Sequence, residues 1–468
     1  MQIKPLKIIV FSVLAGCVLL CCAMLYSHYN SKNNQINTAE GMPSNIDNST
    51  GNDSNTVDNN SGNNIDNSSN NATTTNNNGQ PEKSEPISQN GNSQTTDTFT
   101  ESTDNNGSSD NLGTENTYNS ASDSINSIIP SSSVKKPDAV KALYLTGWTA
   151  GSPDRLDHFI QLAINTEINS YVIDIKDVDG VVGYKSDIPA VKEIDAWISK
   201  YNADDVIKTL HENDIYVIGR LVCFKDPVLS SKKPDLAVKN INGGIWKDNF
   251  GVSWLDPYNR NSWSYLIDIA KEAVKKGFDE IQFDYIRFPN DGDKKAMVFS
   301  SNNEQKYEAV NAFLAYARQE LPNVRLSADV FGIICESPED TEDIGQYLEL
   351  IGKDIEYISP MVYPSHYAFG QIVNNVTFAK PDFEPYAVVY NSLVKAKNRI
   401  SQVENYKADI RPYLQGFTAS YLRQGNYQTY GAKQIREQIQ AVYDAGLTEW
   451  IIWDPSCQYP DDAFEKIE

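Results

Sequence analysis

Histidine is scarce in this chain, with four in 468 residues against 62 acidic side chains. No HxH or HExxH spacing occurs, so the usual frame of a zinc hydrolase is missing. The six cysteines include no CxxC pair. Cys17, Cys21 and Cys22 lie in an apolar N-terminal run, leaving Cys223, Cys335 and Cys457 for the globular part. Three thiols cannot all pair, which excludes a disulfide framework, and their irregular spacing argues against a thiolate metal site. No metal and no cofactor is expected. Basic residues are also short: 40 Lys and Arg leave a formal net charge of −22, and no basic run interrupts it. Nucleic acid is therefore not expected as a partner. No GxGxxG follows the first strand-like run and no GxxxxGK[ST] occurs anywhere. The dinucleotide and phosphate-loop readings lose their main signatures.

Large apolar residues are nearly missing from positions 30–136, where Asn, Ser, Thr, Asp and Gly dominate. No Lys or Arg lies between Lys32 and Lys83, or between Lys83 and Lys135. Such a segment buries too little surface to offset the entropy of ordering, and it reads as a disordered, solvated linker. Ahead of it, residues 8–26 are nearly all apolar and long enough to cross a bilayer. Lys4 and Lys7 precede that run, which puts the remainder of the chain outside the cytoplasm. No small-residue cleavage site follows, so residues 1–29 read as a signal anchor. A rival reading is a lipoprotein signal: Leu14-Ala15-Gly16-Cys17 resembles a processing box in which Cys17 is lipidated, although the apolar run continues past it. Both readings make the membrane a partner. Nothing in the sequence fixes an oligomeric state.

From about residue 137 to 468 the composition is that of a globular domain. Eight short apolar runs, at 142–148, 170–176, 215–223, 280–286, 324–330, 357–363, 412–417 and 449–453, predict strands. Amphipathic stretches such as 155–164, 203–213, 262–276, 304–320, 341–352 and 433–445 predict helices between them. Gly277, Gly352 and Gly446 stand where helix C-caps belong. This alternation predicts an α/β fold, a (β/α)8 TIM barrel. A doubly wound sheet is the alternative.

The run Glu280-Ile281-Gln282-Phe283-Asp284-Tyr285-Ile286-Arg287-Phe288-Pro289 carries the most chemistry. Strand alternation puts Gln282, Asp284 and Ile286 on one face and Ile281, Phe283 and Tyr285 on the other. A carboxylate on the inner face at the C-terminal end of a barrel strand stands where such folds keep their active sites. Asp329 ends the next strand with the same parity, and neighbouring strands are about 4.8 Å apart. Two carboxyl groups at that reach suit a retaining glycosidase, one as nucleophile and the other as acid and then base. The bland alternative is that Asp284 pairs with an arginine for structure while Asp329 caps a loop. Polar or aromatic side chains near other predicted strand ends complete a candidate carbohydrate site: Trp148, Asp174, Lys176, Asp177, Arg220, Gln282, Arg287, Tyr363, His366, Tyr367, Gln415, Trp453 and Asp454. Tyr285 points outward on this parity and reads as core. His158 and His211 fall in helices and read as surface residues.

Five segments carry a wider resemblance: Val172-Ile173-Asp174-Ile175-Lys176-Asp177, Phe224-Lys225-Asp226-Pro227, the run from Gly277 through Pro289, Ser327-Ala328-Asp329-Val330-Phe331-Gly332, and the run from Ser359 through Tyr367. Over about residues 139–456 the chain resembles the bacterial putative glycosyl hydrolase domain family, formerly a domain of unknown function. The resemblance implies a TIM barrel distantly similar to α-amylase-type glycosidases, acting on a carbohydrate polymer or oligosaccharide. It implies that Asp284 is the nucleophile. The acid/base in that wider group is commonly a Glu after the fifth strand. Here the shorter Asp329 occupies the strand end, and Glu336 lies further along the same loop. A catalytically inert, carbohydrate-binding barrel in envelope or spore assembly stays open beside the enzyme.

Overall fold

The computed structural model describes residues 134–301 and 303–467. The apolar run 8–26, the lipoprotein box at Cys17 and nearly all of the predicted linker lie outside those residues. Among the described residues no helix is long and apolar enough to cross a membrane.

Eight parallel strands close on themselves. They are β1 (Lys141–Leu145), β2 (Ser170–Lys176), β3 (Tyr216–Val222), β4 (Glu280–Asp284), β5 (Arg325–Phe331), β6 (Tyr357–Met361), β7 (Tyr413–Gln415) and β8 (Trp450–Trp453). Each pairs with the next in chain order, and β8 returns to β1. This is the predicted (β/α)8 barrel. The seam between β6 and β7 is the thinnest, with Tyr413 opposite Met361 as its one register pair. The short strand Asp409–Ile410 lies against Tyr357 and Ile358 and extends that seam.

Helices α1 (Pro153–Asn165), α2 (Ala203–His211), α3 (Trp263–Lys276), α4 (Lys306–Glu320), α5 (Leu348–Ile351), α6 (Pro385–Ile400) and α7 (Ala432–Asp444) follow β1 through β7 in turn. With helices outside and side chains filling the lumen, strands are buried on both faces. All seven residues of β2 are buried. Gly277 ends α3 in the left-handed conformation, with φ 107°, as a C-cap glycine should. Gly352 has φ −90°; its requirement is space, because a Cβ there would meet the Tyr406 ring at 2.3 Å.

Three expectations shift. The helix predicted over 341–352 shrinks to α5. Asp340 accepts the backbone N–H groups of Ile344 and Gly345 and holds that acidic stretch in turns, the local competition that Asp side chains offer to helix. α6, a helix of 16 residues, was not among the stretches singled out from the sequence. The fourth strand stops at Asp284 rather than running to 286, because Tyr285 takes a left-handed conformation with φ 51°.

Candidate active site

The barrel lumen is polar in layers. At the N-terminal end Glu280, the first residue of β4, accepts from both terminal nitrogens of Arg411 and from Ser327 Oγ at 2.6 Å. Arg411 also faces Glu449 Oε2 at 3.5 Å and stacks on the Tyr357 ring at 4.2 Å. Neither Glu280 nor Arg411 has any exposure. One layer up, Gln282 Nε2 donates to Ser359 Oγ at 3.3 Å and Gln282 Oε1 accepts from Tyr413 at 2.6 Å.

The third layer, at the C-terminal mouth, gathers four charged side chains from four adjacent strands. Arg220 of β3 lies at the centre. Its Nη1 donates to Asp174 Oδ1 of β2 at 2.6 Å. Its Nε and Nη2 donate to Asp284 Oδ2 of β4 at 2.9 and 2.5 Å. The same Nε lies 3.9 Å from Asp329 Oδ2 of β5. With the two carboxylate oxygens at 2.9 and 3.9 Å from one nitrogen, they are at most about 7 Å apart. The other oxygen of Asp284 accepts from the backbone N–H of Tyr285 at 2.6 Å. A positive φ in a non-glycine residue beside an active-site candidate is strain of the kind that accompanies function.

Asp329 is the odd member. It is 2 % exposed, and its Oδ1 has no hydrogen-bond partner among the described residues. Burial and then the neighbouring Asp284 push its carboxyl well above the usual range, against the opposing pull of Arg220. Asp174 is also raised, by burial, with Arg220 opposing. Tyr144 of β1, which the sequence analysis did not single out, donates its hydroxyl to Asp174 Oδ2 at 2.6 Å. A tyrosine inside a predicted strand was visible in the sequence; its partner on the next strand was not.

An aromatic wall adjoins this centre. The Tyr144 ring is 6.1 Å from Trp453, Trp453 stacks on Tyr363 at 5.8 Å, and Phe417 meets both edge-on. His366 packs against Tyr363 at 5.0 Å, and its Nε2 is buried without a hydrogen-bond partner among the described residues. Burial pushes its pKa down to about 4, so the ring is neutral at neutral pH. Trp148 stands at the rim, 46 % exposed.

The remaining candidates are held by other partners. Lys176 is fully buried, donating to Val222 O at 2.6 Å and pairing with Asp226 at 3.0 Å beside a register shift in β2. Asp177 pairs with Lys200. Gln415 is fully buried and ties Ser365 N, Asp382 and Phe417 O together. Asp454 caps its own loop by accepting from Ser456 and Gln458. Tyr367 bonds Ser392 and joins a separate apolar cluster with Val373, Phe378 and Val388. Gln282 lies one layer below the mouth. Arg287 is packed among Trp254, Tyr285 and Phe331 at 4.5–5.0 Å, and Tyr285, half-buried, packs against the core as expected while its ring also faces Arg287 and Lys225. Glu336 accepts from Asn374 N at 2.9 Å and faces Lys395, outside the Arg220 group. His158 is exposed as expected, but His211 is mostly buried and meets Asp279 at 2.9 Å.

No group of three or more His, Cys, Asp or Glu suited to a metal occurs among the described residues. Cys223, Cys335 and Cys457 are all buried and free.

Residues 142–459 match the family described as "Putative glycosyl hydrolase domain". The chain belongs to that family. No curated protein matches it. Among solved structures, the PgaB (BpsB) glycoside hydrolase domain from Bordetella bronchiseptica superposes with a TM-score of 0.50 at 11 % identity, over 70 % of this chain and 99 % of that one. A hypothetical protein from Ruminiclostridium thermocellum is 68 % identical over 40 % of this chain and 97 % of its own, with a TM-score of 0.39. The C-terminal domain of a putative chitinase from Desulfitobacterium hafniense matches with a TM-score of 0.43 at 12 % identity, over 69 % and 96 % of the two chains. The Bordetella likeness supports the shared barrel and nothing finer.

Proposed function

We propose that this member of the "Putative glycosyl hydrolase domain" family cleaves a cell-surface or environmental polysaccharide at the mouth of the barrel. Asp284 is the nucleophile and Asp329 the acid/base. The observation that carries this reading is the arrangement around Arg220: one carboxylate gripped by two guanidinium N–H groups, beside a second, buried one whose Oδ1 has no hydrogen-bond partner among the described residues and whose pKa burial raises. Asp284 attacks the anomeric carbon. Asp329 delivers its proton to the glycosidic oxygen, then takes one from the water that frees the sugar. The bound of about 7 Å on the oxygens admits the short carboxyl separation that retention needs. Trp453, partly exposed, offers a flat face to a pyranose ring, with the buried Tyr363 ring stacked behind it, and His366 Nε2, without a hydrogen-bond partner among the described residues, is the nearby candidate for a sugar hydroxyl. Trp148 extends the apolar surface at the rim. The segment at 8–26 anchors the enzyme, with the linker holding the barrel off the outer face of the membrane.

One observation favours the inert sugar-binding barrel instead. Asp329 is almost sealed, and an arginine shared among three acids is also how a structural network looks. A screen of the protein on purified glycans, peptidoglycan included, beside Asp284→Asn separates the two. Release by the wild type alone supports the enzyme. Equal release by both proteins rejects the role of Asp284, and binding with no release by either supports the inert barrel. Surface proteolysis of intact cells tests the location: a barrel protected until lysis rejects the outer face.

A further inference from the structure

We propose that Asp174, backed by Tyr144, is a positioning residue that holds Arg220 on Asp284 and away from Asp329. The proposal rests on the catalytic reading above and assigns a task to two residues that reading does not use.

The geometry is a relay across four consecutive strands, one side chain from each of β1 to β4. The Tyr144 hydroxyl fixes Asp174 Oδ2 at 2.6 Å. Asp174 Oδ1 takes Arg220 Nη1 at 2.6 Å. The other two nitrogens of Arg220 meet Asp284. A guanidinium is planar, so gripping one terminal nitrogen fixes the direction of the whole fork. The fork has a second destination close by, since Asp329 Oδ2 is 3.9 Å from Nε and Asp329 Oδ1 has no hydrogen-bond partner among the described residues. If Arg220 swung toward Asp329, it would both release Asp284 and favour loss of the proton that Asp329 must donate. Asp174 opposes that swing from the far side of Arg220. The register shift in β2 falls between Asp174 and Lys176, where a bulge re-aims a side chain.

The charged and titratable groups acting on Asp329 are Asp284 and Glu280 from β4, Arg220 from β3, and Arg411 and Tyr413 at the start of β7. Cys223, just past β3, also senses it. Of these, Arg411 is committed to Glu280, so Arg220 is the cation whose attachment can change.

The test uses the full-length protein with Asp174→Asn, Tyr144→Phe and the double variant. Asp174→Asn keeps the shape and removes the charge. It is expected to lower kcat about 100-fold with little change in KM, as misplacement of a reacting group does. Tyr144→Phe is expected to lower kcat about tenfold, the loss of one hydrogen bond to a charged group. Because Tyr144 acts through Asp174, the double variant should fall little below Asp174→Asn alone. Carboxyl-carbon NMR titration, with no substrate, should show the Asp329 midpoint moving to lower pH in Asp174→Asn, and the alkaline limb of kcat/KM should move with it. A lowered melting temperature with kcat, limb and Asp329 midpoint unchanged overturns the proposal. If Asp174→Asn fails to fold, Tyr144→Phe decides by the same readouts. Full activity in Asp284→Asn would reject the catalytic reading instead, while the NMR titration would still decide whether Asp174 controls Asp329.

Discussion

The two ends of the barrel lumen hold the same ingredients and use them differently. At the N-terminal end Arg411 meets Glu280 with no exposure on either side chain, Ser327 and Tyr216 fill further acceptor positions of Glu280, and Arg411 Nε and Glu449 Oε2 have no hydrogen-bond partner among the described residues. At the C-terminal mouth Arg220 is divided among three carboxylates, and Asp329 Oδ1 is left without a hydrogen-bond partner among the described residues. Both ends of β4 contribute, Glu280 below and Asp284 above, about 13 Å apart at the usual rise of a strand. A buried ion pair whose carboxylate oxygens are both engaged, as those of Glu280 are, stabilises or specifies a fold. A crowded, under-neutralised one holds a carboxyl protonated, which is what proton transfer to a leaving group needs. The contrast explains why the same residue types need not share a role.

Substitutions at the two ends should therefore separate activity from stability. Asp284→Asn should abolish sugar release, by about 10³-fold or more, with the denaturation midpoint hardly moved. A large loss of stability without loss of activity per folded molecule would reverse the assignment. Asp329→Asn should lower the rate about 10²–10⁴-fold, read on a substrate with a poor leaving group. Arg411→Met should do the opposite: about 3–5 kcal/mol of stability lost in urea titration, because Glu280 is left charged and unpaired, with the rate per folded molecule retained.

A finer test uses pH. The folded state binds the Asp329 proton more tightly than the unfolded chain does. The stability this gives is fully present below the unfolded pKa and is lost as pH rises through the raised folded value. Asp329→Asn should therefore gain stability relative to wild type as pH rises from acid toward neutral. A difference between the two melting curves that does not vary with pH would contradict the protonated assignment. The smallest effect is expected at His366. Its pKa of about 4 means that it contributes no titration near pH 6.5, and His366→Gln should slow the reaction only about three- to tenfold.

Much of the fold was legible because it depends on local pattern. The apolar runs at 170–176 and 324–330 and the left-handed C-cap at Gly277 are properties of short segments. Two of the shifted pieces are local departures from the pattern. Asp340 draws backbone N–H groups out of the predicted helix at 341–352. Tyr285 turns the chain one residue past Asp284. Lys176, expected in the carbohydrate site, is buried, but its ammonium is taken by Val222 and Asp226 from the next strand and loop. Gln415 and Asp454 were likewise placed at strand ends correctly and are held by loop atoms.

The sequence by itself determined the barrel, the strand ends and the chemical types gathered there, because strand and helix periods are written in runs of a few residues. It also placed Asp284 and Asp329 on neighbouring strands with matching parity. Only the tertiary structure decided which carboxylates share Arg220, that Tyr144 stands behind Asp174, that Glu336 lies outside the Arg220 group and that Asp329 keeps an oxygen without a hydrogen-bond partner among the described residues. Those facts depend on register between strands and on loop residues far apart in the chain. Distance between side chains, and not their order, sets the fields that shift a carboxyl's proton.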